Sequence, residues 1–137
     1  MFLFDTNILS NMVSVAPSAV LVRKIAVVPR AQQYTSSITL GEMLYGAYRL
    51  GARAQALVER LNRALWPNLT VLPFDEEAAP HYARVRAELE RRGRPIGDAD
   101  LRIAAIALAR DLTVVTANVR EFQRVPGLRV ENWLSLS

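Results

Sequence analysis

The sequence contains no cysteine and only one histidine, His81, so two common kinds of metal site are excluded. Without cysteine there is neither a disulfide framework nor a thiolate-bound zinc, and one histidine is too few for an imidazole site. No apolar run approaches the length of a membrane-spanning helix, and the N-terminus lacks the basic region of a signal peptide. We therefore expect a cytoplasmic protein in which any bound metal is held by oxygen atoms.

Lysine is also nearly absent, because sixteen of the seventeen basic residues are arginines and only Lys24 is a lysine. The net charge is +4 and the isoelectric point is about 10.1. Arginine side chains match phosphate geometry and stack on bases, so this composition suits a polyanionic substrate. A GC-rich genome, which favours arginine codons, explains the same bias without any function.

Hydrophobic residues make up 51% of the chain, which predicts one packed domain over residues 1–137. Short strand-like apolar runs alternate with helical patterns along the sequence. The predicted strands are residues 1–4, 33–36, 69–72, 112–116 and 128–133. The predicted helices are residues 8–13, 18–28, 40–50, 52–65, 75–92 and 98–110. This alternation predicts an α/β fold with a parallel sheet that is covered by helices on both faces.

Polar residues occur where the predicted strands end or the predicted helices begin, in three clusters that are far apart in the chain. The clusters are Asp5-Thr6-Asn7, then Glu42, then Asp98 and Asp100 with Thr116-Ala117-Asn118. The carboxyl ends of parallel strands gather at one edge of a sheet, where open sheets bind ligands. Carboxylates brought together without a cation repel one another, so a hard divalent ion is expected among them. The pattern predicts a metal-dependent phosphodiesterase.

The first two clusters also have explanations that involve no active site. Asp5-Thr6-Asn7 fits a strand-to-helix turn, because Asp, Thr and Asn are preferred helix caps. Thr39 and Glu42 fit a capping box, in which the glutamate at the third helical position bonds back to the cap residue.

The third cluster has such explanations for most of its members. Asp98 fits a helix cap, and Arg102 lies four residues further on, within ion-pair reach. Asn118 fits an Asx turn, and Glu121 fits a solvated side chain. Asp100 is harder to explain in this way, because it begins a nearly apolar helix and a buried carboxylate needs a partner.

Taken together, six segments form a pattern that is more specific than any of its parts. They are LFDTNI (3–8), SITLGEMLYG (37–46), PIGDADLRIAA (95–105), VTANVREF (115–122), VPGL (125–128) and ENW (131–133). In order and spacing they resemble the PIN-domain ribonucleases, specifically the VapC toxins of bacterial toxin–antitoxin pairs. The resemblance covers essentially the whole chain. It implies a compact three-layer α/β/α sandwich with a central, mainly parallel sheet of four or five strands.

The resemblance also implies the site residues and the partners. The first three acids of the family correspond to Asp5, Glu42 and Asp100. The fourth position, an Asp in many relatives, is Asn118 here, which removes one charge, and Glu121 or Asp98 is the candidate replacement. Further implications are Mg²⁺ or Mn²⁺ dependence, an RNA substrate, a homodimer and a VapB-like antitoxin that neutralises the activity.

Mg²⁺ takes about six oxygen ligands and usually keeps several waters beside one or two carboxylates. We therefore expect Asp5 and Asp100 to bind the ion directly and the other two family positions to bind through water. The hydroxyls of Thr6 and Thr116 are expected to bond to these carboxylates or to a phosphate group. A metal-activated water would then attack phosphorus in line with the leaving group.

Two further features are predicted from the sequence. The arginines that end the helix before the third cluster are Arg91, Arg92 and Arg94. They are expected to form a rim that guides phosphate groups, although cations at a helix C-terminus also complement its dipole. The large side chains that follow Glu42 at helical spacing are Leu44, Tyr45 and Tyr48. We expect these in the core or in a dimer interface.

Other classes of protein fit the sequence less well. A dinucleotide-binding enzyme needs a glycine-rich turn after its first strand, and Asp5-Thr6-Asn7 is not one. The main alternative is a PIN-domain regulatory or DNA-binding partner protein with weak or no nuclease activity, which the Asn118 substitution keeps open. A nuclease assay with Mg²⁺ and with EDTA separates the two hypotheses.

Overall fold

A computed structural model describes residues 1–135, and its five strands form one entirely parallel sheet. The strands are β1 (Phe2–Phe4), β2 (Gln33–Ser36), β3 (Thr70–Leu72), β4 (Thr113–Val115) and β5 (Val130–Glu131). Their order across the sheet is β3-β2-β1-β4-β5, so the first strand lies at the centre. The predicted α/β class is confirmed, and each predicted strand contains one of these strands.

Seven α-helices connect the strands within the described residues. They are α1 (Thr6–Met12), α2 (Ala19–Ala26), α3 (Ser37–Tyr48), α4 (Ala54–Ala64), α5 (Ala78–Arg91), α6 (Asp98–Arg110) and α7 (Val119–Phe122). Six of them overlap the predicted helices. Helix α7 was not predicted, because four residues are too few for a helical period to show in the sequence. None of these helices is long and apolar enough to cross a membrane.

Two predicted helix caps are wrong. Ser36 caps α3, because its backbone is extended and its hydroxyl accepts a hydrogen bond from the Thr39 N–H at 3.0 Å. Thr39 is therefore fully buried in the first turn and cannot form the predicted capping box with Glu42. In the same way Gly97 is the N-cap residue of α6, so Asp98 is already helical and does not cap it.

The two faces of the sheet bury separate apolar layers. Successive residues of a strand point to opposite faces, so Leu3 and Val114 contribute to one layer while Phe4 and Val115 contribute to the other. Helices α5 and α6 cover the first face, and helices α1 to α4 cover the second. The Trp133 ring also packs on the second face, with its centroid 5.5 Å from that of Phe4. The predicted three-layer sandwich is confirmed.

The carboxyl ends of the three central strands meet at one edge of the sheet. Phe4 pairs with Val115, and the Asp5 N–H extends this ladder by donating to the Val115 carbonyl at 3.2 Å. On the other side, the Thr35 hydroxyl donates to the Phe4 carbonyl at 2.8 Å and ties β2 to β1. The residues that follow β1, β2 and β4 therefore lie side by side.

Candidate active site

Asp5, the first residue after β1, is buried at this edge and is only 3% exposed. Its Oδ1 caps α1 by accepting a hydrogen bond from the Ile8 N–H at 3.1 Å. Its Oδ2 accepts one from the Thr116 hydroxyl at 2.5 Å, which links the ends of β1 and β4. Burial raises the pKa of Asp5, and these hydrogen bonds act in the opposite direction. Asp5 is therefore a helix cap and also a carboxylate held at the sheet edge.

Glu42, on α3, is connected to the start of α1 and to the end of β2 by hydroxyl groups. Its Oε1 accepts a hydrogen bond from the Thr6 hydroxyl at 2.5 Å. Thr6 Oγ1 lies 3.4 Å from Thr39 Oγ1, which in turn lies 3.2 Å from Ser36 Oγ. The negative charge of Glu42 also raises the pKa of Asp5, although by less than burial does. The two carboxylates therefore lie within electrostatic reach of each other.

Asp100, in the first turn of α6, forms a carboxyl pair with Glu121 of α7. Burial, a hydrogen bond to Glu121 and the charges of three acidic neighbours raise the pKa of Asp100 to about 7. These neighbours, in decreasing order of effect, are Glu121, Asp5 and Glu42. The pKa of Glu121, the other member of the pair, is lowered.

Glu121 is held by neutral donors and is not a freely solvated side chain. Its Oε1 accepts a hydrogen bond from the Gly97 N–H at 2.9 Å, and its Oε2 accepts one from the Asn118 amide at 2.5 Å. These bonds lower the pKa of Glu121. The Asn118 N–H donates to Thr116 Oγ1 at 2.9 Å, so the threonine side chain builds this turn. The predicted Asx turn at Asn118 and the predicted solvation of Glu121 are both wrong.

Four carboxyl groups thus gather where the central strands end. We call Asp5, Glu42, Asp100 and Glu121 the acidic cluster. None of them forms an ion pair within residues 1–135, although six ion pairs are present elsewhere in that range. The cluster is therefore a concentration of negative charge that the rest of the described chain does not pair with a cation.

Asp98 lies only two residues from Asp100 but does not belong to the acidic cluster. Its Oδ1 accepts a hydrogen bond from the Tyr82 hydroxyl at 2.5 Å, and its Oδ2 accepts one from Arg102 Nε at 2.7 Å. These bonds lower the pKa of Asp98. The predicted ion pair with Arg102 is confirmed, and both Asp98 oxygens are used in contacts among α5 and α6.

The donor atoms of the acidic cluster fit a hard divalent cation. Carboxylate oxygens, with the hydroxyls of Thr6 and Thr116 and the amide of Asn118 beside them, are the ligand types that Mg²⁺ and Mn²⁺ prefer. Within residues 1–135, no three acidic or histidine side chains converge closely enough to hold an ion. Each carboxyl group is bonded instead to a hydroxyl, an amide or another carboxyl group, as expected for like charges that lack a cation.

The three arginines that were predicted to form a rim lie at and just beyond the end of α5. Arg91, Arg92 and Arg94 are all exposed, and none forms an ion pair with the acidic cluster among the described residues. Arg92 pairs instead with Glu88 at 2.7 Å. Arg92 and Arg94 line a cleft with residues of the α7 region, and Arg91 does not.

Comparison with known proteins identifies the family. The family model for the PIN domain matches residues 2–128 of this chain. The chain belongs to the PIN-domain family. It is also 40% identical over 134 residues to the tRNA(fMet)-specific endonuclease VapC of Shigella flexneri, an alignment that covers 96% of this chain and 97% of the relative. The resemblance to VapC proteins that the sequence segments indicated is confirmed.

Solved PIN-domain structures share the whole fold. The crystal structure of FitAcB from Neisseria gonorrhoeae superposes with a TM-score of 0.90 at 33% identity, covering 99% of this chain and 100% of that one. VapBC2 from Rickettsia felis, bound to a DNA fragment from its promoter, superposes with a TM-score of 0.87 at 31% identity. That match covers 96% of this chain and 98% of the other.

Three hydrogen-bonding groups that connect the residues of this PIN-domain site were not predicted from the sequence. They are the hydroxyls of Ser36 and Thr39 and the Gly97 N–H. Ser36 carried a usable signal, because a serine that ends a strand just before a helical pattern is a typical N-cap. The Gly97 N–H carried none, because it is a backbone group whose acceptor, Glu121, lies 24 residues away.

Proposed function

We propose that this protein is a Mg²⁺- or Mn²⁺-dependent endoribonuclease, the VapC-type toxin of a toxin–antitoxin pair. The observation that carries the proposal is the acidic cluster, four carboxyl groups at the ends of the central strands that form no ion pair within residues 1–135. The Shigella flexneri relative, a tRNA(fMet)-specific endonuclease, supports RNA as the substrate. Because RNA is the substrate, we place the activity in the cytoplasm.

In the proposed reaction, Asp5 and Asp100 would hold the ion directly, and Glu42 and Asn118 would hold it through water. When bound, the ion would supply positive charge for the phosphoryl oxygens and lower the pKa of a water molecule. A water oxygen would form a bond to phosphorus and give up its proton to solvent, while the bond from phosphorus to the leaving ribose oxygen breaks and that oxygen takes up a proton from solvent. The carboxylates must be ionised to serve as ligands, so Asp100 releases its proton when the site is loaded.

Two threonines are proposed to position the ligands. The Thr116 hydroxyl donates to Asp5, and the Thr6 hydroxyl donates to Glu42, each at 2.5 Å. Side chains that are already oriented lower the cost of assembling a reactive geometry. Replacing either threonine by valine keeps the shape but removes the donor, and is expected to weaken metal affinity by about 10- to 100-fold.

The fourth acidic position is proposed to be supplied by Glu121. Asn118 occupies the position at which many relatives have an Asp, and its amide bonds directly to Glu121. A hydrogen bond to Glu121 and its charge also raise the pKa of Asp100, so the two carboxyl groups are adjacent within the acidic cluster. Asp98, the other candidate, uses both oxygens in bonds to Tyr82 and Arg102. These contacts favour Glu121 over Asp98.

We further propose that the protein forms a homodimer and a complex with a VapB-like antitoxin. Tyr45 is 65% exposed and Tyr48 is 63% exposed on α3, and Leu50 is exposed just beyond that helix. Exposed aromatic and aliphatic side chains grouped in this way are typical of protein interfaces. Light scattering tests the dimer, and a monomer at micromolar concentration without antitoxin would contradict it.

A second candidate function is that of a regulatory or DNA-binding partner protein with weak or no nuclease activity. Two observations favour it. Asn118 removes a charge from the site, and the related VapBC2 complex of Rickettsia felis is bound to a promoter DNA fragment.

The test is a cleavage assay of the purified protein on labelled RNA with Mg²⁺, Mn²⁺ or EDTA. Single-stranded DNA of the same sequence is the matched substrate control, and Asp5→Ala is the matched protein control. The proposal expects RNA cleavage with either ion, and no cleavage with EDTA or by Asp5→Ala. If wild type and Asp5→Ala are equally inactive while the antitoxin complex binds DNA, the second candidate is correct.

A further inference from the structure

A cleft lined by four arginines lies between the end of α5 and the α7 region. Its walls are Leu89, Arg92, Arg94, Arg120, Gln123 and Arg124, and its volume is about 340 Å³. We call it the arginine cleft. Among the described residues, no acidic side chain lines it. Like charges brought together in this way repel one another, so the arrangement favours an anion between them.

Most of the positive charge of the arginine cleft is not paired with a carboxylate. Arg92 forms an ion pair with Glu88, and the other three arginines form no ion pair within residues 1–135. Arg94 and Arg120 are also exposed, so their charge is available to a ligand.

Arg124 gives the cleft a fixed wall. Its Nη1 donates to the Pro95 carbonyl at 3.0 Å, and its Nε is buried without a hydrogen-bond partner among the described residues. A buried cationic donor that lacks a partner is costly, so it is seldom retained without a function.

A helix dipole does not explain the cluster of arginines. It accounts for Arg92 at the C-terminal end of α5, where a cation is favourable. It does not account for Arg120, because α7 has only four residues and its dipole is too short to explain the arginine. Residues from two separate segments of the chain thus converge on one cleft, and local helix electrostatics do not require it.

The arginine cleft and the acidic cluster share their boundary. The segment from Pro95 to Gly97 contacts Arg124 through the Pro95 carbonyl and contacts Glu121 through the Gly97 N–H. The charge of Arg124 also lowers the pKa of Glu121, although by less than the hydrogen bonds that Glu121 accepts. Arg124 therefore lies at the boundary between the arginine cleft and the acidic cluster.

We infer that the arginine cleft binds a backbone phosphate of the RNA next to the bond that is cut. This inference rests on the proposed function. The guanidinium group matches the geometry of phosphate oxygens and is always charged. Because the acidic cluster by itself repels RNA, an adjacent cationic cleft supplies the attraction that holds the strand. Contacts to the backbone alone make this binding independent of base sequence.

The test measures binding of a short fluorescent single-stranded RNA by anisotropy, in EDTA so that no cleavage occurs. The variant is Arg94→Gln/Arg120→Gln, which removes two exposed arginines that form no ion pair within residues 1–135. We expect affinity at low salt to fall by about 10-fold or more, and the slope of log K against log[salt] to become shallower by about 0.7, the value for one phosphate contact. Charge reversal, Arg94→Glu/Arg120→Glu, is expected to have a larger effect.

The matched control is Arg23→Gln/Arg63→Gln, which removes the same charge from helices on the other face of the sheet. Its RNA affinity should remain within about twofold of wild type, because only net charge has changed. If the cleft and control variants lose affinity equally, or neither loses any, the cleft does not bind RNA. If the cleft variant keeps its RNA affinity but loses antitoxin, the cleft is a protein site and the inference is wrong.

The proposed function is measured separately by wild-type cleavage with Mg²⁺. If wild type cleaves RNA but both variants bind it alike, only the assignment of the cleft fails. If wild type neither cleaves nor binds RNA, the proposed function fails and the inference fails with it.

Discussion

Asp98 and Asp100 lie two residues apart in the first turn of α6, and their surroundings are opposite in charge. Asp98 accepts hydrogen bonds from Tyr82 and Arg102, which lower its pKa. Asp100 is more buried and faces three other acids, which with burial raise its pKa to about 7. Side chains two residues apart on an α-helix point about 200° away from each other. One acid therefore faces α5 while the other faces the sheet edge.

The difference lies in whether the positive partner belongs to the fold. Asp98 has its cation, Arg102, four residues away on the same helix, and this pair is complete without any ligand. Asp100 and the rest of the acidic cluster form no ion pair among the described residues, so a proton or a bound cation relieves most of their repulsion. Arrangements that cost stability in the empty protein are typical of functional sites.

The largest expected effect is on catalysis. Asp100→Asn removes a proposed metal ligand, whereas Asp98→Asn makes the same chemical change two residues away but leaves the acidic cluster complete. We expect RNA cleavage with Mg²⁺ to fall by more than about 100-fold in Asp100→Asn and to stay near the wild-type rate in Asp98→Asn. Initial rates on one RNA measure both, with thermal melts to show that each variant is folded. Comparable losses in the two variants would mean that the two acids do not differ in role.

The second expected effect is on stabilisation by metal. Mg²⁺ binds the folded site and has no preformed site in the unfolded chain, so it raises the free energy of unfolding by about 2.7 kcal/mol at about 100 times its Kd. Asp100→Asn should gain much less from Mg²⁺, while Asp98→Asn should gain as much as wild type. In EDTA, Asp100→Asn should melt at or above wild type, because one repelling charge is gone.

Thermal melts across a Mg²⁺ titration at fixed ionic strength measure these gains. An Asp100→Asn protein that is clearly less stable than wild type in EDTA, yet responds equally to Mg²⁺, would show that Asp100 is a structural acid at a helix start.

The fold was predictable from the sequence because its signals are local. The strand at residues 112–116 is a short apolar and β-branched run that stops at polar residues, and the helix at residues 98–110 is continuous in pattern. Parallel strands present their carboxyl ends at one edge of the sheet, and this rule alone is enough to bring Asp5 close to Thr116.

The details of the site were not predictable, because they depend on contacts between distant residues. The sequence separated Asp98 from Asp100 through Arg102 and the family resemblance, but it could not show the hydroxyl that engages Asp98, since this belongs to Tyr82, sixteen residues earlier. The sequence predicted a solvated side chain for Glu121. Its two donors, Gly97 and Asn118, come together only through the α7 turn, so they could not be identified in advance. That turn is too short to leave a periodic pattern.

The third expected effect is on the pH dependence of stability without metal. Asp100 and Asp5 have raised pKa values, so above about pH 4 the folded state holds more protons than the unfolded state. The free energy of unfolding should therefore fall as the pH rises from about 5 to about 8. The loss is on the order of 1–2 kcal/mol once the solvent-exposed part of Asp100 is allowed for.

Urea unfolding in EDTA at several pH values measures this slope. Asp100→Asn should flatten it, because the amide does not titrate. Asp98→Asn should leave it unchanged above about pH 5, because the lowered pKa of Asp98 keeps it ionised in both states there. Equal slopes in wild type and Asp100→Asn would mean that Asp100 is already ionised in the folded protein.

The smallest expected effect concerns the stability that Asp98 itself contributes. Asp98→Asn weakens a charged hydrogen bond from Tyr82 and an exposed ion pair with Arg102, and should lower the free energy of unfolding by about 0.5–1 kcal/mol at neutral pH. Because the folded pKa of Asp98 is lowered, this contribution is present above about pH 4 and is lost as the pH falls through that value.

Tyr82→Phe combined with Asp98→Asn should cost less than the sum of the two single changes, since they share one bond. The control is Glu88→Gln, which breaks the pair with Arg92 inside α5 and should be additive with Asp98→Asn. Full additivity of Tyr82→Phe with Asp98→Asn would show that the bond between α5 and α6 contributes nothing, and that Asp98 is stabilised by Arg102 alone.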